Sequence, residues 1–215
     1  MRTENTTRRV PQIVASGARI SRAGSSGFTL IELLIVAAII LVVAAFAIPN
    51  MMMTMDAYRV RGALSSASGM AQRARLQAIR RNTTQHMYFT TNTGKVVIYY
   101  KDSNAAVGTL QTTDGQFWMP GPFAIAGTPT GGPTLLTGTT MWGSSVTPNA
   151  QVDMYFNSRG MPCLAAVAGG VCSPTSGFVY YFSYQTGNRT RWSAISVSPA
   201  GRIQNWYWNS TSWGN

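Results

Sequence analysis

The chain has 215 residues and a formal net charge of +11, with 17 Lys and Arg, six Asp and Glu, and one histidine. Acid–base chemistry therefore has few candidates, and the chain contains no H-E-x-x-H, G-x-S-x-G or phosphate-cradling glycine motif. We expect no enzyme, no metal site and no cofactor. The excess of basic residues permits contact with nucleic acid, anionic lipid or acidic polysaccharide, but it does not indicate which of these is bound.

Residues 1–27 have the composition of a processed leader. They hold five arginines and one acid, Glu4, among small and polar residues. This positive charge predicts that the segment stays on the cytoplasmic side of a membrane. The remaining 188 of the 215 residues carry 12 of the 17 cations and five of the six acids, a net charge of +7. That length predicts one globular ectodomain behind a membrane segment.

Residues 28–48 form an apolar run whose only charged residue is Glu32. As a helix, this run spans roughly 31 Å, enough to cross the hydrocarbon core of a bilayer. A carboxylate there costs on the order of 3 kcal/mol, so Glu32 needs a cationic partner. Cleavage between Gly27 and Phe28 would free an α-amine about 6 Å along the helix from Glu32. The amine could pair with Glu32 of its own chain or with that of a neighbouring subunit.

Three other interpretations of this run remain open. An ordinary secretory signal could be cleaved after Ala45-Phe46-Ala47, although Glu32 and the long leader argue against it. A plain single-pass anchor explains the hydrophobicity but neither Gly27 nor the spacing of Glu32. A buried helix of a soluble domain would need an equally apolar layer around it, and nothing downstream supplies one.

Gly27-Phe28-Thr29-Leu30-Ile31-Glu32-Leu33-Leu34 resembles the class III signal of type IV pilins and type II secretion pseudopilins. The resemblance implies cleavage after Gly27 by a prepilin peptidase, N-methylation of Phe28, and polymerisation through a bundle of these helices. It also implies an assembly role for Glu32, and it matches Pro49 to the proline at which pilin helices commonly kink or melt.

Residues 49–82 keep a helical period and form a second, amphipathic half of the helix. One face can dock on a sheet and carries Tyr58, Val60, Ala63, Leu64, Ala67, Met70, Ala71, Ala74, Ala78 and Ile79. The other face is expected to be solvated and carries Arg59, Arg61, Arg73, Arg75, Arg80 and Arg81. Asn82-Thr83-Thr84 predicts the end of the helix.

Residues 83–215 are β-rich and predict an antiparallel sheet on which the helix packs. A hairpin is expected from 86–91 and 95–100 around the three-residue loop Asn92-Thr93-Gly94, with His86 as a surface or structural histidine. Residues 102–150 predict long loops with one or two strands. Later strands are expected at 152–156, 178–184, 192–197 and 203–208. The predicted fold class is α+β, a long N-terminal helix on an antiparallel ectodomain of pilin-like type.

Three later segments are similar to GspH/FimT-type minor pilins. These are the helix end 71–82, the strand and glycine turn 152–160, and the closing strand and Gly-Arg turn 195–202. The resemblance implies a minor pilin or pseudopilin that enters a type IV pilus or a type II secretion pseudopilus. Its partners would be other pilins, a prepilin peptidase and the assembly platform of the bacterial inner membrane. The protein would cross that membrane once, with residues 83–215 in the periplasm.

Cys163 and Cys172 are the only two cysteines. An even pair in an exported chain predicts a disulfide, worth roughly 2–3 kcal/mol for so short a loop. Metal binding would need further thiols or histidines.

A DNA-binding minor pilin for DNA uptake is the alternative function. Arg189, Arg191 and Arg202 lie near Trp206 and Trp208 in the sequence, and cations beside stacking rings are what strand binding uses. The DNA-binding relatives are expected to have a Gly-Arg-x-Arg turn, whereas this chain has Gly201-Arg202-Ile203-Gln204. The second arginine is missing.

Overall fold

The computed structural model describes residues 27–102, 115–126, 129, 132–144, 146, 148–150, 154–164 and 177–215. By its internal contacts the chain divides into two compact units, Met1–Ala47 and Ile48–Asn215. The division falls next to Pro49.

A single long helix, α1, runs from Leu30 to Arg81 and includes Pro49 without interruption. Its end is a Schellman motif. Asn82 adopts a left-handed φ of 50°, the Asn82 N–H donates to the Ile79 carbonyl, and the Thr83 N–H donates to the Ala78 carbonyl. The predicted end of the helix is therefore confirmed.

Eleven strands and one short helix follow α1 in the described part of the chain. The strands are β1 (Gln85–Asn92), β2 (Lys95–Asp102), β3 (Gly115–Trp118), β4 (Phe123–Ala126), β5 (Pro148–Ala150), β6 (Met154–Phe156), β7 (Pro162–Leu164), β8 (Gly177–Thr186), β9 (Arg189–Val197), β10 (Ile203–Trp208) and β11 (Trp213–Gly214). The helix α2 (Gly138–Trp142) is capped by the Thr137 hydroxyl, which accepts from the Thr140 N–H at 3.3 Å.

The strands form two sheets. The first sheet has the order β3-β2-β1-β6-β7 and is antiparallel throughout. The second has the order β11-β10-β9-β8-β4 and is also antiparallel along this path. In addition, β5 pairs in parallel with the start of β8, and β4 pairs with a later part of β8. The predicted α+β class is confirmed. The single expected sheet is two sheets. The described residues between β2 and β6 form three strands and α2, where loops with one or two strands were expected.

The main core lies between the second half of α1 and the inner faces of both sheets. Its helix side is dominated by alanine, with Ala63, Ala67, Ala71, Ala74 and Ala78 all buried. Small side chains let a helix lie close to the large rings opposite, which on β8 are those of Phe178, Tyr180, Phe182 and Tyr184. The predicted packing face is correct except at its margins, because Tyr58 and Ile79 are exposed.

Each sheet also buries part of its outer face. The alternate residues of β8, Val179 and Tyr181, pack with Leu136, Met141 and Trp206 on the side away from α1. The outer face of the first sheet holds Tyr88, Val97 and Tyr99. His86 is 3% exposed there; its ring stacks on Tyr155 at a centroid distance of 3.9 Å and makes a tilted contact with Tyr88 at 3.6 Å, so it is a buried structural residue and not a surface one.

The β1–β2 hairpin is tighter than predicted. Asn92 pairs with Lys95 in the ladder, so the loop contains only Thr93 and Gly94. Both have positive φ, 48° and 74°, which is the geometry of a type I′ turn. The expected three-residue loop is wrong because Asn92 belongs to the strand.

Candidate functional site

The segment around the proposed cleavage position is exposed. Gly27 and Phe28 precede α1, and the Phe28 side chain is 79% exposed. Thr29 caps the helix, because the Glu32 N–H donates to its carbonyl at 3.1 Å and to its hydroxyl at 3.3 Å. Thr-x-x-Glu is the sequence pattern of a capping box, and a carboxylate in the first turn also suits the helix dipole. The pattern was readable in the sequence, and it marks Thr29 as the N-cap of the helix.

The apolar residues that follow are uncovered. The most apolar window of α1 has a mean hydropathy of 3.0 and none of it is buried, so by length and composition α1 can cross a membrane. The large side chains at the surface include Ile31, Leu34, Ile40, Leu41 and Phe46. Glu32 is the one carboxylate within this exposed apolar surface between Phe28 and Ile48.

Pro49 lies inside α1. Proline has no N–H and its ring crowds the carbonyl four residues earlier, so this turn is the weakest in the helix backbone. Its role in assembly stays a prediction.

The three later segments singled out by the sequence converge at Arg75. The Arg75 Nε donates to the Gly160 carbonyl at 2.9 Å, and its guanidinium also donates to the Ala200 carbonyl at 3.4 Å. One side chain of α1 thus joins the β6–β7 turn of the first sheet to the β9–β10 turn of the second. Arg75 was expected to be solvated, and that expectation is wrong.

Two glycines make this junction possible. Gly160 and Gly201 have φ of 74° and 79°, and a Cβ on either would lie 3.0 Å from Arg75 Nε. A Cβ on Gly201 would also overlap the Gly160 carbonyl oxygen. Each turn therefore needs glycine for its backbone angle and for the close approach of its neighbours.

A groove of 570 Å³ opens beside the junction, and we call it the Arg75 groove. Two arginines and several aliphatic side chains line it: Arg75, Leu76, Ile79, Ala200, Arg202 and Ile203. Leu76 and Ile79 are 50% and 44% exposed, although they lie on a helix whose neighbouring face is fully buried. Sequence patterning missed the groove because its walls come from segments about 125 residues apart.

The candidate DNA-binding arginines do not form one patch. Arg189 and Arg191 lie at the start of β9, whereas Arg202 follows its far end and lines the Arg75 groove. Six residues of strand separate Arg191 from Val197, about 20 Å. Arg191 is half-buried and donates to the Met53 carbonyl of α1 at 3.0 Å, so it serves the fold. Arg189 and Arg202 are exposed.

The two candidate tryptophans differ in their surroundings. Trp206 is 6% exposed, and its indole N–H donates to the Ser196 hydroxyl at 2.8 Å. It is part of the second core cluster and cannot stack on a base, which corrects its predicted role. Trp208 is half-buried and makes an edge contact with Trp213 at 5.5 Å.

Two tyrosines near these elements have altered ionisation. Burial raises the pKa of Tyr181 above its ordinary 10.0, partly opposed by the hydrogen bond with the backbone of Leu136. Burial also raises the pKa of Tyr207, opposed by the Arg61 guanidinium and a hydrogen bond with Asn205.

Cys163 lies in β7, where it is buried and disulfide-bonded. Cys172 lies outside the described residues, so its pairing with Cys163 stays a prediction. Among the described residues no three His, Cys, Asp or Glu side chains are grouped so as to hold a metal ion.

The N-terminal segment matches a known protein family. Residues 22–48 match the family model described as the prokaryotic N-terminal methylation motif. No curated protein sequence matches the chain significantly. Two crystal forms of the type IV minor pilin FimU from Pseudomonas aeruginosa align at 15% identity, covering 75% and 72% of this chain and 97% of that one, with TM-scores of 0.40 and 0.36. Both scores are too low to establish a common fold.

The matched residues include the glycine before the helix, the capping threonine, Glu32 and the uncovered apolar face. The chain therefore carries a prokaryotic N-terminal methylation motif at residues 22–48, and the second half of the helix that begins in this motif packs on two antiparallel sheets.

Proposed function

We propose that this chain is a structural subunit, a minor pilin or pseudopilin. It would assemble through α1 into an inner-membrane-based type IV pilus or type II secretion pseudopilus, and would help to prime the filament and support protein secretion. The observation that carries the proposal is the uncovered apolar surface of 28–48, which lies within the methylation motif matched by residues 22–48. So much apolar surface needs either lipid or other helices around it.

The proposal includes a processing step. Residues 1–27 would be a cytoplasmic leader that a prepilin peptidase removes between Gly27 and Phe28, and Phe28 would then be N-methylated. Residues 28–48 would lie in the inner membrane until the assembly platform moves the subunit into the filament. Residues 49–215 would remain in the periplasm, with the globular part formed by 83–215.

Glu32 would specify the register of each subunit's helix against the helices of its neighbours in the filament. It is exposed in the first turn of α1, so it can reach the new α-amine of its own chain or of an adjacent subunit. Inside an apolar helix bundle, an unpaired carboxylate is strongly disfavoured, so only a register that pairs it is stable.

The alternative is a DNA-binding minor pilin. It keeps support from the net charge of +7 after the leader and from the exposed Arg189 and Arg202. Its support is weaker than the sequence suggested, because Trp206 is core and Arg191 binds α1. Two exposed arginines at opposite ends of β9 do not make a strand-binding channel, which would need a continuous basic groove.

The test uses Glu32→Gln, which removes the charge with little change in size, and Glu32→Asp as the charge-retaining control. Both variants are expressed in the native cell. Both should insert in the membrane, while Glu32→Gln should be depleted from sheared filaments and Glu32→Asp should be largely retained. Mass spectrometry of the membrane protein should find N-methyl-Phe28 at the terminus.

Two results would contradict the proposal. Equal incorporation of Glu32→Gln and the parent protein would remove the pairing argument. A mature N-terminus at Ile48 would instead indicate an ordinary secretory signal, cleaved after Ala47.

A further inference from the structure

We propose that the Arg75 groove is a docking site for an acidic, aliphatic segment of another protein. The inference goes beyond assembly through α1, because the groove lies among residues 72–203 and shares no residue with 28–48.

The floor of the groove is a rigid piece of backbone. Arg75 joins the turns of Gly160 and Gly201 through hydrogen bonds to the Gly160 and Ala200 carbonyls, and its side chain lies directly against both glycines. A site whose floor is fixed by hydrogen bonds loses little conformational entropy on binding. At 570 Å³ the groove falls within the roughly 300–1,000 Å³ of typical ligand sites.

The walls of the groove include apolar side chains that contribute little to the protein core. Leu76, Ile79 and Ile203 line the groove, and the first two are about half exposed. The inward face of the same helix turns is complete, with Ala74 and Ala78 fully buried. Leu76 and Ile79 therefore contribute little to the core and can cover aliphatic side chains of a partner.

The charge of the groove selects an anionic partner. Arg202 is exposed, Arg75 is half-buried, and none of the described residues that line the groove carries a carboxylate. Arg75 uses its guanidinium on two backbone carbonyls, which leaves Arg202 as the freer donor for an incoming carboxylate. Guanidinium–carboxylate pairs are charge-assisted and directional. A segment with one or two carboxylates beside aliphatic side chains fits these walls.

A second copy of this chain is a poor occupant on charge. Residues 28–215 hold only five acids against 12 cations. Of these acids, Glu32 lies in the apolar run and Asp56 lies 3.6 Å from Arg59. The occupant is therefore expected to be a different protein.

The test measures peptide binding to the full chain in a non-ionic detergent by fluorescence anisotropy. The probe is the fluorescein-labelled hexapeptide Gly-Leu-Glu-Ile-Glu-Gly, and the control peptide has Gln in place of both Glu. Empty micelles give the background. The probe should bind saturably, and the Gln peptide at least tenfold more weakly.

Matched variants locate the binding. Arg202→Gln should weaken binding of the probe about tenfold and Ile79→Ser severalfold, while Arg189→Gln, an equally exposed arginine away from the groove, should leave it unchanged. All three residues are exposed, so near-ultraviolet circular dichroism should show intact folds.

Four results would overturn the inference: no saturable binding of the probe, equal binding of the Gln peptide, equal weakening by Arg189→Gln, or oligomers of the parent chain that Ile79→Ser dissociates. The last would identify a second copy as the occupant. A dT oligonucleotide that displaces the probe from the parent chain, and that no longer does so in Arg202→Gln, would also overturn the inference, because it would identify phosphate as the ligand.

Discussion

Replacing Gly201 by alanine tests whether the junction at Arg75 holds the two sheets together. The new Cβ would overlap the Gly160 carbonyl oxygen and lie 3.0 Å from Arg75 Nε. Gly94→Ala is the matched control, because Gly94 has a similar φ of 74° but no atom within 4 Å of an added Cβ. In both variants an alanine must adopt a positive φ, at a similar cost in free energy, and the conformational entropy of the unfolded chain falls by the same amount. Their difference isolates the junction.

The expected magnitudes follow from these contacts. A left-handed alanine costs about 1–2 kcal/mol, which is the whole expected effect at Gly94. At Gly201 the overlap forces a backbone shift of about 1–3 kcal/mol, and loss of the Arg75–Gly160 hydrogen bond adds about 0.5–1.5 kcal/mol. Gly201→Ala should therefore be roughly 1.5–4.5 kcal/mol less stable than Gly94→Ala. At about 2–4 °C per kcal/mol its melting temperature should be lower by at least roughly 3 °C.

The assay is thermal unfolding of the full chain in detergent, followed by tryptophan fluorescence. All six tryptophans lie between Trp118 and Trp213, so the signal reports the β-rich part and not the apolar half of α1. Equal melting temperatures for the two variants would refute the reasoning, because the two turns would then not be in the contact that Arg75 bridges.

Three further predictions concern the C-terminal half. Trp206→Ala should destabilise the protein by about 3–5 kcal/mol in denaturant unfolding, and Trp208→Ala by clearly less, because only Trp206 is fully packed; equal losses would contradict the burial difference. Stability should fall as the pH rises above 10, because an unfolded tyrosine ionises there while folded Tyr181 stays protonated, and Tyr181→Phe should flatten this alkaline slope. In duplex DNA binding, Arg189→Gln and Arg202→Gln should each lower the salt slope by about one unit if both contact phosphate, and no retention at low salt would exclude the DNA alternative.

Local sequence patterns were sufficient for the elements that depend on neighbouring residues. The end of α1 at Asn82 was predictable because an asparagine can adopt the left-handed cap. Trp206 and Tyr207 lie on opposite faces of β10, as the alternation of side chains along a strand requires. The hairpin loop was misjudged by one residue, since whether Asn92 pairs in the ladder depends on register and not on the turn residues alone.

The roles of arginines and tryptophans could not be predicted in this way. Arg75, Arg191 and Arg202 look alike in the sequence, yet one bridges two turns, one binds the backbone of α1, and one lines a groove. The side chains of Arg75 and Arg191 bind backbone carbonyls that lie 85 and 138 residues away in the sequence. No local period carries information about such distant contacts.

The sequence by itself determined the N-terminal methylation motif, the apolar half of α1 with its single carboxylate, and the α+β class, because charge, hydropathy and period are local properties of the chain. Only the tertiary structure decided the division into two sheets, the burial of Trp206 and the meeting of three distant segments at Arg75. The physical reason is that packing free energy depends on which surfaces meet, and glycine turns such as those of Gly160 and Gly201 acquire their meaning only from the side chain that lies against them.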